Sequence, residues 1–182
     1  DFAAMQKKKK TIVKQLVNGV GGLMKANGIT VVKGIAAFKS PTAIEVSTEE
    51  GKVQVDFDKA IIASGSAPSI VPIPGNELEG VVDSTGALEF EEIPQSLCII
   101  GGGVIGIEMA HVYQRLGTKI TIVEMLPDIL INFDSDITTV IKKVMKKNKV
   151  DFLLETKVEE IKKGEEGLIV SVTDKEGTAK VI

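Results

Sequence analysis

Hydrophobic side chains recur with a helical period near the start of the chain. From residue 5 to about residue 27 they stand three or four positions apart, and Asn27-Gly28 then supplies a stop signal. The positions are Ile12, Leu16, Val20 and Leu23. This pattern predicts one amphipathic helix over residues 5–27.

After this helix the pattern changes to that of short strands. Segments rich in β-branched and alternating apolar residues are separated by glycine, Ser-Pro and Glu-Glu-Gly, which are turn signals. They cover residues 30–33, 36–39, 43–48, 52–56 and 59–63. The sequence predicts a small antiparallel meander, with 59–63 as a further strand.

A proline-rich stretch then interrupts the pattern. Residues 67–76, APSIVPIPGN, hold three prolines and a glycine, so neither a helix nor a central strand can continue through them. We interpret this stretch as the exit from a first domain. One domain is expected over residues 1–83 and another over residues 84–182.

Predicted strands and helices alternate in the second half of the chain. Apolar runs indicate strands at 97–100, 119–124 and 150–154, and helical periods fill 104–116 and 134–148 between them. The order β-α-β-α-β implies a parallel sheet with helices as right-handed crossovers. Residues 157–161 and 168–172 predict antiparallel strands appended to this α/β domain.

Composition places the chain among ordinary globular proteins, with 43% hydrophobic and 26% charged residues in 182. A net charge of −3 argues against a nucleic-acid partner, and the lysines at 7–10 are interpreted as a solvated helix segment rather than a lipid or RNA patch. No stretch reaches the roughly 20 apolar residues of a membrane span, and no signal-peptide pattern opens the chain. A cytoplasmic location without membrane contact is expected.

Two further features concern the chain's ends and its thiol. The sequence begins at Asp1 without a methionine, inside what resembles a helix, so we expect a fragment of a longer protein. The single cysteine, Cys98, lies in the apolar run 97–100. A buried, reduced thiol is expected there, and no disulfide can form within the chain.

The stretch CIIGGGVIGIE, residues 98–108, joins the first predicted parallel strand to the next helix. Its glycines follow G-x-G-x-x-G at Gly101, Gly103 and Gly106. The first permits a tight turn, the second lets a pyrophosphate approach the backbone, and the third lets the helix pack close to the sheet. Amide groups at the helix start would face the phosphates. The context favours a Rossmann-like dinucleotide site over a turn that only packs tightly.

Glu124 bears on which dinucleotide binds. It ends the second predicted parallel strand, 18 positions after Gly106. A carboxylate there can accept hydrogen bonds from both ribose hydroxyls and repels a 2′-phosphate, and residues 125–127 offer no arginine to neutralise that phosphate. NAD is therefore favoured over NADP, and the alternative is a solvated carboxylate.

The helix after the turn presents two stripes. One is apolar and is expected to pack on the sheet, whereas the other is mostly polar. The apolar stripe is Ile105, Met109, Val112 and Leu116, and the polar stripe is Val104, Glu108, His111 and Arg115. Glu108-x-x-His111 has the spacing of a di-iron helix, but no second such pair exists, so no metal is expected.

The ordered set of motifs resembles the flavoprotein disulfide reductase family, and within it the lipoamide dehydrogenases. The resemblance covers essentially the whole chain and rests on TIVKQLVNGV near the start, KAIIASGSAP at 59–68, VVDSTGALEFEEIP at 81–94, CIIGGGVIGIE at 98–108 and QRLGTKITIVE at 114–124. It implies that the glycine turn is the family's second fingerprint, which holds NAD. Residues 1–83 would be the later part of an FAD domain, and 84–182 an NAD domain whose last strand is missing.

The resemblance also implies which residues contact the two cofactors. Glu108 matches a glutamate that pairs with a lysine near the flavin, and the small Val104 favours the lipoamide branch over glutathione reductases. The NAD set is Gly101, Gly102, Gly103, Val104, Ile105, Gly106, Glu108, Glu124 and Val158, the last through a backbone contact to adenine. The FAD set is Ala36, through a backbone contact to adenine, and Ser64, Gly65 and Ser66.

A longer parent enzyme is implied by the same resemblance. It would oxidise dihydrolipoamide on the lipoyl carrier protein of 2-oxoacid dehydrogenase complexes, pass electrons through a redox disulfide and FAD to NAD, and form a homodimer through a C-terminal domain. The redox cysteines, the FAD fingerprint and the dimer domain do not occur in the 182 residues. We therefore expect the chain alone to be inactive and assign it no catalytic residue.

Two alternatives stay open at this point. The parent could be another family member, such as an NADH oxidase, a coenzyme A disulfide reductase or a mercuric reductase. The chain could also be a non-catalytic dinucleotide-binding module.

Overall fold

The computed structural model describes all 182 residues. The chain divides into two compact units, residues 4–67 and residues 68–182 together with 1–3. The helices are α1 (Phe2–Ala26), α2 (Ser84–Leu88), α3 (Val104–Arg115) and α4 (Ser135–Lys147). The strands are β1 (Ile35–Ser40), β2 (Ala43–Thr48), β3 (Gly51–Asp56), β4 (Ser96–Ile100), β5 (Lys119–Val123), β6 (Asp151–Leu153), β7 (Thr156–Lys163), β8 (Leu168–Asp174) and β9 (Ala179–Val181). None of the four helices combines the length and the hydropathy that a membrane crossing requires.

The first unit consists of α1 and the antiparallel sheet β1-β2-β3. The predicted helix over 5–27 is confirmed, and so are the three meander strands predicted at 36–39, 43–48 and 52–56. The two strands predicted at 30–33 and 59–63 are wrong, because neither segment has a strand to pair with. Ile61 and Ile62 are 94% and 76% exposed. High β-propensity did not suffice there, since a strand needs a neighbour to satisfy its backbone groups.

The second unit is built on the parallel sheet β4-β5-β6, as the β-α-β-α-β pattern predicts. Ile99 of β4 lies opposite Ile122 of β5, and Thr121 lies opposite Asp151 of β6. Ile120 and Ile122 are fully buried. The core of the α/β fold therefore includes the central strand β5.

Helix α3 buries the predicted apolar stripe only in part, since Met109 and Leu116 pack against the core whereas its other two residues are exposed. Ile105 is 60% exposed and Val112 39% exposed, so the expected apolar stripe does not pack on the sheet as a whole. Ile107, Ala110 and Tyr113 are buried instead. Ala110 is fully buried, and its short side chain allows close packing at this point of the helix. The predicted polar stripe is exposed, as expected.

A third sheet, β7-β8-β9, follows and is antiparallel, which confirms the appended strands. Its core side chains are Val158, Ile161, Val170 and Val172, packed with Val123. The sequence patterns did not predict α2 or β9. Both are too short, at five and three residues, to show a hydrophobic period.

Candidate functional site

The glycine-rich turn connects β4 to α3. Gly101 adopts φ +108°, which favours glycine, and its N–H donates to the Val123 carbonyl oxygen at 2.8 Å. Gly103 is the N-cap of α3, and no side chain caps this helix. The first-turn N–H groups of α3 are therefore left for an acceptor from outside, and an anion is the acceptor that a helix start favours.

The glycines of the turn differ in what a side chain would meet. A Cβ at Gly106 would collide with the Gly101 carbonyl oxygen, so the helix start closes over the turn only with glycine there. A Cβ at Gly103 would meet nothing within 4 Å. The fold itself thus requires Gly106, whereas the space beside Gly103 stays open for a ligand.

Glu124 follows β5 directly and binds the turn. Its Oε2 accepts a hydrogen bond from the Gly102 N–H at 2.6 Å, and its Oε1 accepts one from the Leu126 N–H at 2.8 Å. The structure therefore brings this residue together with the glycines, across 22 positions of sequence. A carboxylate has about four lone-pair sites, so two remain after these bonds.

The segment 125–131, which we call the β5 loop, also contacts the turn, and sequence analysis missed it. The Leu130 N–H donates to the Gly102 carbonyl oxygen at 2.9 Å. Ile129 is fully buried, and its Cγ2 would lie 2.8 Å from a Cβ at Gly102. The sequence signal for it is the run of three apolar residues, 129–131, after Pro127-Asp128, which is unusual for a solvent-exposed loop. Both backbone polar groups of Gly102 are thus engaged, one by Glu124 and one by this loop.

The remaining residues of the predicted NAD set occupy three places. Val104 and Ile105 form the first turn of α3 and are 46% and 60% exposed. Glu108 is exposed one turn later. Val158 is buried on β7 in the same cluster as Val123, the residue before Glu124. The NAD set therefore lies within one unit, around the carboxyl ends of β4 and β5.

The predicted FAD set lies in the other unit. Ala36 is on β1, opposite Val46 of β2. Residues 64–66 belong to an irregular, exposed segment, and Gly65 has φ +73°. The structure places these residues in one unit without bringing them into a shared site.

Cys98, three residues before the turn, is held as a thiol. Burial raises its pKa to about 11, because a low-polarity environment disfavours the thiolate. Its neighbours are apolar side chains of the Val123 cluster. The groups that the turn offers a ligand are therefore backbone amides and the Glu124 carboxylate, and the Cys98 thiol is not among them.

Comparison with known proteins adds a family match. A family model described as pyridine nucleotide-disulphide oxidoreductase matches residues 2–181. The dihydrolipoyl dehydrogenase of Vibrio cholerae serotype O1 is 42% identical over 172 residues, which are 94% of this chain and 36% of that protein. That of Geobacillus stearothermophilus is 38% identical over 172 residues, 94% of this chain and 36% of the relative. The chain thus spans about a third of the length of these curated relatives.

Solved structures show the same relationship. The HOCl-induced flavoprotein disulfide reductase RclA from Escherichia coli has a TM-score of 0.85 and 32% identity, covering 100% of this chain and 41% of that one. Its Cu(II) complex gives a TM-score of 0.86 at 32% identity, covering 100% of this chain and 41% of that one.

Proposed function

Because the chain belongs to the pyridine nucleotide-disulphide oxidoreductase family, we propose that its second unit binds NAD(H). Further, we propose that the chain is the nucleotide-binding part of a dihydrolipoyl dehydrogenase. The observation that supports this most is the Gly102–Glu124 hydrogen bond of 2.6 Å, since it joins an uncapped helix start to a carboxylate in one site.

The residues of the turn fit a dinucleotide. The first-turn amides of α3 would hold the pyrophosphate, which could approach through the open space beside Gly103. Glu124 would accept hydrogen bonds from the ribose hydroxyls with the lone pairs that Gly102 and Leu126 leave free. Val158 would contribute the backbone contact to adenine. NAD, when bound, accepts a hydride, and this chain's residues bind and orient it.

The preference for NAD over NADP rests on charge. A 2′-phosphate near Glu124 would meet a carboxylate that is held in place by the N–H groups of Gly102 and Leu126. No arginine follows in the β5 loop to neutralise that phosphate.

Dihydrolipoyl dehydrogenase is favoured among the family's activities by identity. Relatives with that name are 42% and 38% identical to this chain, against 32% for the RclA structures. We propose, on this resemblance, that the whole enzyme oxidises dihydrolipoamide on a lipoyl carrier protein and acts as a homodimer. Ala36 and Ser64–Ser66 would contact its FAD, and other segments would supply the redox disulfide, since Cys98 has no partner cysteine.

Calorimetric titration of the 182-residue chain with NADH and with NADPH tests the nucleotide site. We expect saturable NADH binding and NADPH binding at least about tenfold weaker. Glu124→Ala should weaken NADH binding about tenfold or more, because hydrogen bonds to a charged group contribute about 1.5–3 kcal/mol. The same variant should also reduce the difference between the affinities for NADH and NADPH.

Asp151→Ala is the matched control, because it removes an exposed carboxylate at the start of β6. It should leave both affinities unchanged. A folded chain that binds neither nucleotide, or binds both equally, would contradict the proposed site.

A further inference from the structure

The β5 loop is fastened at both ends by backbone hydrogen bonds. Near its start, the Leu126 carbonyl oxygen accepts from the Glu155 N–H at 3.0 Å. At its far end, the Leu130 N–H donates to the Gly102 carbonyl oxygen at 2.9 Å. The second bond is the one that reaches the nucleotide turn, so the position of Leu130 bears on the position of Gly102.

Leu130 holds an unfavourable backbone conformation. Its φ is +49°, in the left-handed region that a leucine rarely adopts. Such a conformation persists only where surrounding contacts hold it. Burial of Ile129 and Leu130, which are 0% and 7% exposed, is one such contact.

An ion pair supplies the other contact. Asp128 Oδ2 lies 2.6 Å from Lys142 Nζ on α4, and Asp128 Oδ1 accepts from the Ile129 N–H at 2.6 Å. One carboxylate therefore ties the middle of the loop to the helix and orients the residue before Leu130. The side chains are 24% and 36% exposed, for Lys142 and Asp128 respectively, so solvent screens the pair only in part. The lysine lowers the pKa of Asp128, as a hydrogen-bonded cation should.

We propose that the Lys142–Asp128 pair is a positioning device for nucleotide binding: through it, α4 holds the β5 loop in the conformation in which Leu130 fixes Gly102. The inference rests on the proposed function, because it concerns the affinity of the same site. Without the pair, the loop leaves this conformation for part of the time. The apparent affinity for the nucleotide is then reduced to the fraction of molecules that stay in the binding-competent conformation.

NADH titration of the 182-residue chain tests the proposal with Lys142→Met, Asp128→Asn and the double variant. Each single variant should weaken NADH binding about twofold to fivefold, the range that a part-exposed ion pair can provide. The double variant should be no weaker than the singles, since all three lose the same pair. Lys142→Arg should restore most of the affinity.

Asp128→Asn separates positioning from a direct charge effect. NADH carries a negatively charged pyrophosphate, so the loss of a nearby carboxylate charge should tighten binding if charge alone mattered. If the pair acts by positioning the loop, Asp128→Asn should bind NADH more weakly instead. Lys143→Met is the matched control, because it removes one exposed lysine from the same helix, beside Lys142, and should leave the affinity unchanged.

Amide hydrogen exchange gives a readout that does not need the nucleotide. The Leu130 N–H should exchange severalfold faster in Asp128→Asn than in the unaltered chain, whereas the Ile122 N–H in the core of β5 should not change. If the unaltered chain binds no NADH, the proposed function fails. The exchange rate of the Leu130 N–H then still tests whether the ion pair holds the β5 loop. Unchanged Leu130 exchange, tighter binding in Asp128→Asn, or additive losses in the double variant would overturn the positioning role.

Discussion

At the scale of single residues, Cys98 makes stability depend on pH. Burial raises its pKa from 9.0 to about 11, so the folded chain holds this proton more tightly than the unfolded chain does. The resulting stabilisation is fully present below pH 9 and is lost as the pH rises through 11. We expect the free energy of unfolding in urea to fall across this window by roughly 3 kcal/mol at most.

Cys98→Ala isolates that contribution from those of other groups that titrate in the same range, such as Tyr113, whose pKa burial also raises. The fall should be smaller in the variant. Equal pH profiles for the two chains would show that the thiol is solvated in the folded state.

The candidate site was predictable from the sequence only where a motif carries it. Gly101, Gly106 and Glu124 follow a spacing that the geometry of a strand-turn-helix requires, and the structure places all three at one turn. Asp128 and Leu130 carry no such spacing. Their role depends on a lysine 14 positions later and on a backbone bond to Gly102, which no local pattern encodes.

At the scale of elements, two glycines of the segment β4-turn-α3 have different roles: Gly106 is needed for folding, and Gly103 is proposed to be needed for nucleotide binding. Gly106→Ala should destabilise the chain by about 1–3 kcal/mol, because its Cβ meets the Gly101 carbonyl oxygen and the backbone must shift. Gly103→Ala should leave stability nearly unchanged, since its Cβ would meet nothing within 4 Å and its φ of −73° suits alanine. The same change should weaken NADH binding, because the methyl group fills the space proposed for the pyrophosphate.

Urea unfolding and NADH titration of both variants measure the two effects, and each variant is the control for the other. A Gly103→Ala chain that binds NADH normally would mean that the pyrophosphate does not pass beside this residue. Normal stability of Gly106→Ala would mean that the helix start can move away from the turn.

Helices and strands were predictable where the hydrophobic period is clear and the chain also supplies a neighbouring element for them to pack or pair with. The parallel strands follow from apolar runs that find neighbours in β4-β5-β6. Residues 59–63 have the same kind of run, yet the chain contains no strand beside them, so propensity alone misled. The buried face of α3 was predicted only in part: Met109 and Leu116 pack on the core as expected, whereas the burial of Ala110 and Tyr113 depends on neighbouring elements that the helical period does not show.

At the scale of the whole chain, burial is distributed unequally between the two units. Between residues 4 and 67 only Ala43 and Val46 are buried, and α1 buries no residue. Residues 68–182 contain both hydrophobic clusters, centred on Ile120 and on Val172. Since burial of apolar surface is the main source of stability, the second unit should hold nearly all of the cooperative stability.

Two optical signals can follow the two units separately. Tyr113 is the only tyrosine, there is no tryptophan, and its ring is 2% exposed in the second unit, so tyrosine emission reports that unit alone. Far-ultraviolet circular dichroism includes the 25 residues of α1, a helix with no buried side chain. In urea we expect the dichroism to decline first and gradually, because α1 packs against a hydrophobic cluster only at Phe2, and a helix with so few packing contacts melts without a sharp transition. One coincident transition of both signals would contradict this division. The Tyr113 transition should come later and be sharp, because the buried side chains of the second unit unfold together.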